Sequence, residues 1–575
     1  MNDMSMINIK NTLKHIRSFF LNPDLWVWAY PLLLVIPNVA LLFTEYNPVL
    51  WMLSSVLVAM GIWLLIMGLW KRTGITLLCF LPVAVLCAFQ LVLLFLYGNG
   101  IIAIDMFLNV VTTNAAEVSE LLGNLQVAIL VVVLLYLPPL ALGVYFIVKR
   151  RFASARTLRL SRLAGGISVL CGVGLALGGW ATSGAVHAER YYFPYNVTEN
   201  LCTAVERFQR SGDYKSTSKG FMYHAHSERP DCVPEVYVFV VGETARADNW
   251  NLFGYERETT PLLDKRNGLV GFPKTLSEIN TTHKSVPMLI SPLTAETFND
   301  SVDYVKSIFA AFNEAGYKTA FISNQRRNHS YIDFFGEEAQ TVKFLTDEGK
   351  VHPDMHLVDG LRKAVKNAAG KKLFVILHSY GSHFEYNKRY PREYAVFKSD
   401  RNSEAEVDNR SQLINAYDNT MRYTDAVLDG VIGVLDSLNV PAAMAYVSDH
   451  GEDIFDDERE RFLHASPVPT YWQLHVPMFV WMSDELDARY PEMKAAARKN
   501  AGKQVSSSRS VFHTMLQLAG VRTPYFKEEG SLVSERYSEP RPLYLNDYNE
   551  SLPLDMSGLR PMDYEKLKAG GMRYR

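Results

Sequence analysis

Cysteine is scarce in this chain: five residues in 575, and none after Cys232. That excludes a thiolate zinc site or a disulfide framework in everything downstream, whose loops must be held by packing and hydrogen bonds. Cys79, Cys87 and Cys171 fall inside apolar runs, where a thiol behaves as a small apolar group. Cys202 and Cys232 could pair in an oxidising compartment, but spacing alone does not bring their Cα atoms within bonding range. An excess of charge of one sign is also missing. Lys and Arg number 58 against 60 Asp and Glu, a net −2, without the basic surplus that a nucleic-acid partner asks for. Internal repeats, low-complexity segments and long charge runs are absent as well.

Apolar sequence is abundant and unevenly placed. Mean hydropathy near zero averages two unlike parts. Five segments, about 25–45, 49–70, 75–97, 126–148 and 163–183, are long enough to cross a bilayer, which takes about 20 residues. Lys10, Lys14 and Arg17 precede the first, Lys71 and Arg72 come after the second, and six Lys or Arg from Lys149 to Arg162 come after the fourth. The alternate loops carry Glu45, Asp105, Glu117 and Glu120. By the positive-inside rule the N-terminus is cytoplasmic, and everything beyond about 185 lies outside after five crossings. The first span lacks a small-residue cleavage motif, so a cleaved signal peptide is not expected.

Three regions are expected: a five-span domain over 1–185 with an external helical loop near 100–125, a bridging region over 186–232, and a catalytic domain over 233–575. In the loop, Asn109, Thr113 and Glu117 recur at i, i+4 and i+8, so a helix places an amide, a hydroxyl and a carboxylate on one face. That face is either solvated or functional. The bridging region opens with Tyr191, Tyr192, Phe193 and Tyr195, an interfacial aromatic cluster, and continues into a segment suited to lying along a membrane surface.

From Pro234 onward apolar runs alternate with helical patterns, which predicts a mostly parallel sheet covered by helices on both faces. The expected strands are Tyr237–Val241, Lys318–Ile322, Leu373–Leu377, Ala443–Val447 and Met478–Trp481. The residues just past these strands carry the chemistry. Glu243 comes after the first, Ser323 and Asn324 after the second, His378 and His383 after the third, and Asp449, His450 and Glu452 after the fourth. His464 lies a little beyond. Carboxylates and imidazoles at the carboxyl edge of an open α/β sheet occupy the usual ligand crevice, and these donors suit Zn²⁺ or Mn²⁺. His378 reads equally as a packing residue.

The segments VVGETARADNWNLFGYERETTP, SVP, LHSYGSH, INAYDNT, YVSDHGE and FLHASP, in that order, resemble those of bacterial phosphoethanolamine transferases. The likeness is greatest to the lipid A enzymes, including the mobile colistin-resistance transferases. The resemblance covers nearly the whole chain and implies a five-span inner-membrane protein with a periplasmic α/β domain of alkaline-phosphatase/sulfatase type. It implies a zinc site of Glu243, Asp449 and His450, with His383 and His464 completing it or holding a second zinc. The implied nucleophile, also a metal ligand, is Thr282 in INTTHKSVP, with Thr281 adjacent. Asn109, Thr113 and Glu117 match the lipid-binding pattern, and His383 or His378 could shuttle protons. The implied donor is phosphatidylethanolamine and the implied acceptor a lipid A phosphate, with core sugar, glycan or protein acceptors open; a monomer is expected. Cys-Gly-Thr, frequent at the nucleophile of such enzymes, is replaced by NTTH, and Met288 stands after the Ser-Val-Pro where a Cys is common. Three other readings compete. A sulfatase is disfavoured because no Cys/Ser-x-Pro-x-Arg segment surrounds Thr282. A phosphoglycerol transferase or phosphodiesterase of the same fold, and a non-catalytic envelope protein, remain.

Overall fold

Val236–Gly242, VYVFVVG, is buried along its whole length, because a strand covered on both faces has no polar side to show. It is strand β1 of a seven-stranded sheet in the computed structural model, which describes residues 17–44, 48–97, 102–112, 125–183, 188–230, 232–348, 352–401 and 404–575. The others are β2 (Leu269–Gly271), β3 (Lys318–Ser323), β4 (Thr341–Phe344), β5 (Leu373–His378), β6 (Ala442–Ser448) and β7 (Met478–Met482). Their order is β2-β7-β6-β1-β5-β3-β4. β1 pairs in parallel with β5 and β6, and β3 with β4 and β5. β7 runs antiparallel to both β6 and β2. All five expected strands are present; the short edge strands β2 and β4 were not expected.

Successive residues of β1 point to opposite faces. Tyr237, Phe239 and Val241 enter one core with Phe309, Phe312, Phe374 and Phe512. Phe312 and Phe374 stack with centroids 3.8 Å apart, so truncating Phe374 to Ala costs about 3–5 kcal/mol. Helices in this unit include α1 (Ile104–Thr112), α2 (Thr282–Leu289), α3 (Met355–Ala368), α4 (Arg410–Asp436) and α5 (Ser507–Leu518). α3 packs on β5 and β3, and α4 on α3 and β6.

The chain divides into two compact units, Met1–Ala103 with Leu121–Thr203, and Ile104–Glu120 with Ala204–Arg575. Of the segment expected as an external loop, the described helix Ile104–Thr112 falls in the unit that holds the sheet. Among the described residues of the first unit, four helices are long and apolar enough to cross a membrane: Pro23–Leu41, Val49–Met67, Gln126–Val148 and Ala155–Thr182. The pair Thr73–Cys79 and Leu81–Leu94, bent by 50°, makes five if it is one span. The last helix begins before the expected 163. Val49–Met67 and Ala155–Ser183 touch backbone to backbone: a Cβ on Gly61 would lie 2.7 Å from the Gly165 carbonyl oxygen. Ser54 and Ser168 hydroxyls donate across the same pair to the Gly172 and Leu57 carbonyls, each at 2.7 Å. Small residues and crossing hydroxyl bonds are how helices associate where lipid offers no hydrophobic drive. Residues Tyr195–Gly212 of the bridging region are helical. All five cysteines are free, Cys202 and Cys232 included.

Candidate active site

β1 and β6 are parallel neighbours with Gly242 opposite Ser448, so the next residues, Glu243 and Asp449, leave the sheet side by side. Gly381, at φ +55°, closes over this point; a Cβ there would meet the Glu243 carbonyl oxygen at 2.7 Å, which only glycine avoids. Glu243, Asp449 and His450 are buried, and their ligand atoms all lie within 4.8 Å of one another. His450 Nε2 is 3.2 Å from Asp449 Oδ2 and 3.7 Å from Glu243 Oε1.

The hydrogen bonds around the three leave lone pairs facing inward. Asp449 Oδ1 accepts the backbone N–H groups of Thr244 and His450, at 3.1 and 2.8 Å. Asp449 Oδ2 is buried and accepts no hydrogen bond. His450 Nδ1 donates to the Gly451 carbonyl at 2.9 Å, which leaves Nε2 as the acceptor. Gln325 Nε2 donates to Glu243 Oε2 at 2.7 Å, and the Thr244 hydroxyl to Oε1 at 2.9 Å. The Ser277 and Ser285 hydroxyls both hold the Asp449 carbonyl at 2.7 Å.

Thr282 is the first residue of α2. Its Oγ1 lies 3.1 Å from Glu243 Oε1 and 3.0 Å from His450 Nε2. Thr281 is the N-cap, and its buried hydroxyl makes no hydrogen bond. The geometry therefore singles out Thr282 of the two threonines.

Charge is disfavoured here without a counter-ion. Burial pushes the Asp449 carboxyl up to about 7; burial and then the Asp449 charge raise Glu243. Burial, followed by the neighbouring His464, lowers His450 to about 3. A cation reverses the two carboxyl shifts and deepens that of His450, which favours two carboxylates and a neutral imidazole. An orphaned carboxylate oxygen, a second carboxylate and an imidazole lone pair form a nitrogen and oxygen donor set that fits a divalent metal.

His464 and His383 stand beside this triad. The His464 ring centroid is 4.0 Å from that of His450, and the His383 ring is 6.4 Å from that of His464. His464 Nδ1 is 3.3 Å from Glu452 Oε1, and burial pushes that carboxyl up to about 8. His383 Nδ1 donates to the Phe384 carbonyl at 2.8 Å, leaving Nε2 as acceptor. His378 is elsewhere. It is buried at the end of β5, stacked on Phe321, with Nδ1 3.2 Å from the Ser323 hydroxyl. Burial lowers it to about 4, and its surroundings are those of a packing residue. Asn109 falls in α1, but its side chain, and Thr113 and Glu117 entirely, lie outside the described residues. Gln325 and Thr244 were not singled out from sequence, and Glu452 was noted there without a role. Gln325 comes directly after Ser323 and Asn324 at the same sheet edge, a signal that was there to be read.

Residues 235–521, the part built on this sheet, match the sulfatase family model. Within that class the chain resembles phosphoethanolamine transferases. It is 33% identical over 306 residues to the Kdo(2)-lipid A phosphoethanolamine 7''-transferase of Escherichia coli K12, covering 51% of this chain and 53% of the relative. The chain thus spans about half the length of the curated relatives it matches. The integral membrane lipooligosaccharide phosphoethanolamine transferase A of Neisseria meningitidis has the same fold, with a TM-score of 0.68 at 22% identity over 88% of this chain and 99% of that one. The zinc complex of the C-terminal periplasmic domain of EcEptC from E. coli matches with a TM-score of 0.52 at 23% identity, over 58% of this chain and 96% of that one.

Proposed function

We propose that this protein transfers phosphoethanolamine from phosphatidylethanolamine to a phosphate of lipid A, with Thr282 as the nucleophile. The observation that carries the reading is the Thr282 hydroxyl held within 3.1 Å of both Glu243 and His450. Names of the relatives, a lipid A and a lipooligosaccharide phosphoethanolamine transferase, support donor group and acceptor.

Glu243, Asp449 and His450 hold the metal, Zn²⁺ by the precedent of the EcEptC complex, with His383 and His464 available for a second ion. The bound metal supplies positive charge that makes the Thr282 hydroxyl a stronger acid and offsets charge on the phosphoryl oxygens. Thr282 Oγ1 gives up its proton and bonds to the phosphorus of the donor, while the bond from phosphorus to the diacylglycerol oxygen breaks. The proton lost by Thr282 passes to the free Nε2 of His383, which hands it to the leaving diacylglycerol oxygen; in the second half-reaction His383 takes the acceptor's proton and returns it to Thr282 Oγ1. An acceptor oxygen then attacks phosphorus, and the phosphoethanolamine–Thr282 bond breaks. Gln325 and Thr244 keep the Glu243 carboxylate oriented throughout. Asn109, Thr113 and Glu117 receive the donor headgroup, the carboxylate charge of Glu117 suiting its ammonium. In this reading the chain is a monomeric inner-membrane protein whose N-terminus is cytoplasmic and whose catalytic unit is periplasmic.

Mass spectrometry of lipid A from cells carrying wild type or Thr282→Ala tests this. Phosphoethanolamine on lipid A with wild type and none with the variant is expected. Addition by the folded variant would remove Thr282 from the mechanism, and unchanged lipid A with a modified envelope polymer would change the acceptor alone.

A further inference from the structure

The two residues after the nucleophile, His283 and Lys284, are basic and sit in the first turn of α2, where the helix dipole disfavours positive charge. Lys284 is also almost fully buried, at 2% exposure. A buried ammonium at a helix N-terminus persists only with an anionic partner. That partner is Asp105, fully buried in the first turn of α1. Lys284 Nζ is 2.6 Å from Asp105 Oδ2, and His283 Nε2 is 3.2 Å from Oδ1. Lys284 Nζ also donates to the Asn546 carbonyl at 3.1 Å, and Arg207 Nη1 lies 3.9 Å from Asp105 Oδ1 while donating to the Asp547 carbonyl.

One short turn therefore faces two ways. Thr282 reaches Glu243 and His450, and two residues on, Lys284 is tied to the helix that begins at Ile104. We infer that Asp105 is a positioning residue: its ion pair with Lys284 sets the placement of Thr282 against the metal triad. This rests on Thr282 being the nucleophile. It assigns Asp105, His283 and Lys284 no contact with the reacting atoms. A shift of Thr282 by a fraction of an ångström is the consequence of losing the pair, and misplacement on that scale acts on the chemical step more than on donor binding.

The test uses full-length protein in detergent with zinc, tracking diacylglycerol release from a fluorescent phosphatidylethanolamine. Asp105→Asn is expected to lower kcat roughly ten- to a hundredfold at unchanged KM and unchanged zinc content. Asp105→Glu keeps the charge pair and should retain most of kcat. Asp105→Asn combined with Lys284→Met removes both members of the pair and leaves Arg207 beside Asp547, and its loss should equal that of the single variant instead of multiplying it. Wild-type kcat in either Asn variant, multiplied losses, or zinc content falling with kcat would each overturn the assignment. If Asp105→Asn does not fold, the double variant decides; if neither folds, the pair is an element of the fold and the assignment falls. Thr282→Ala run alongside separates the two readings. Transfer that survives in it removes the nucleophile, whereas its inactivity beside a wild-type kcat for Asp105→Asn removes only the positioning role.

Discussion

Removing the charge at the centre of the site should stabilise the metal-free protein while destroying its response to metal. Asp449 is fully buried, and its carboxyl titrates near 7 instead of 3.8. A raised carboxyl pKa means that the folded state holds the proton more tightly than the unfolded state, so its penalty is absent below about pH 4, grows through the interval and is complete above about pH 7. The difference corresponds to about 4 kcal/mol at neutral and higher pH. Asp449→Asn removes this penalty and keeps the oxygen that accepts the Thr244 and His450 N–H groups. It turns Oδ2, now without a donor, into an amide that can donate to His450 Nε2, 3.2 Å away. With chelator at pH 8, thermal unfolding of the variant should occur several degrees above that of wild type, and at pH 4.5 the two should converge. Zinc at a hundred times its Kd should add about 2.7 kcal/mol to wild type and next to nothing to the variant, so the gap between the two melting temperatures narrows to about a third of its size in chelator. A chelated variant less stable than chelated wild type at pH 8, or one stabilised by zinc as much as wild type, would refute this account of Asp449.

Gln325→Leu removes the 2.7 Å donor to Glu243 Oε2; zinc affinity measured by competition with a chromophoric chelator should fall roughly tenfold, with the fold retained by circular dichroism. His475 donates from Nε2 to the Pro273 carbonyl at 2.8 Å and from Nδ1 to Asp248 at 2.6 Å, so its ring is doubly protonated. Burial is the largest single influence and lowers its pKa, but the Asp248 charge and the hydrogen bonds to Asp248 and Pro273 together outweigh it and raise the value. The stability this contributes is fully present below the unfolded histidine value near 6.5 and is lost as pH rises through the higher folded value. His475→Gln should therefore cost about 2 kcal/mol at pH 6 and clearly less at pH 9 in denaturant titrations.

Agreement between expectation and structure tracks the range of the forces involved. Strands β1, β3, β5, β6 and β7 were readable because a strand buried on both faces must be a continuous apolar run. β2 and β4 were not readable, because LVG and TVKF are short edge strands paired on one side, and their hydrogen bonds leave no pattern in side chains. The direction of β7 was also hidden, since burial is the same for either direction. At the site, residue type and position after a strand pointed to Glu243, Asp449 and His450. The same signal left His378 open between a proton shuttle and a packing residue; as the last residue of β5 it is buried in the core.

Residue order alone was enough to set a membrane-spanning region before an α/β domain, and to gather carboxylates and imidazoles at one edge of its sheet with Thr282 nearby in the order of motifs. Apolar periodicity and residue chemistry are local properties, and they survive being read in one dimension. It took the folded chain to show that the Thr282 hydroxyl, not that of Thr281, touches Glu243 and His450. Folding also separates the five expected ligands into a tight triad and two flanking histidines, supplies Gln325 as a partner of Glu243, and joins Asp105 to Lys284 across 179 positions of sequence. These are distances of about 3 Å between distant segments, set by the packing of helices on the sheet, and packing has no one-dimensional signature.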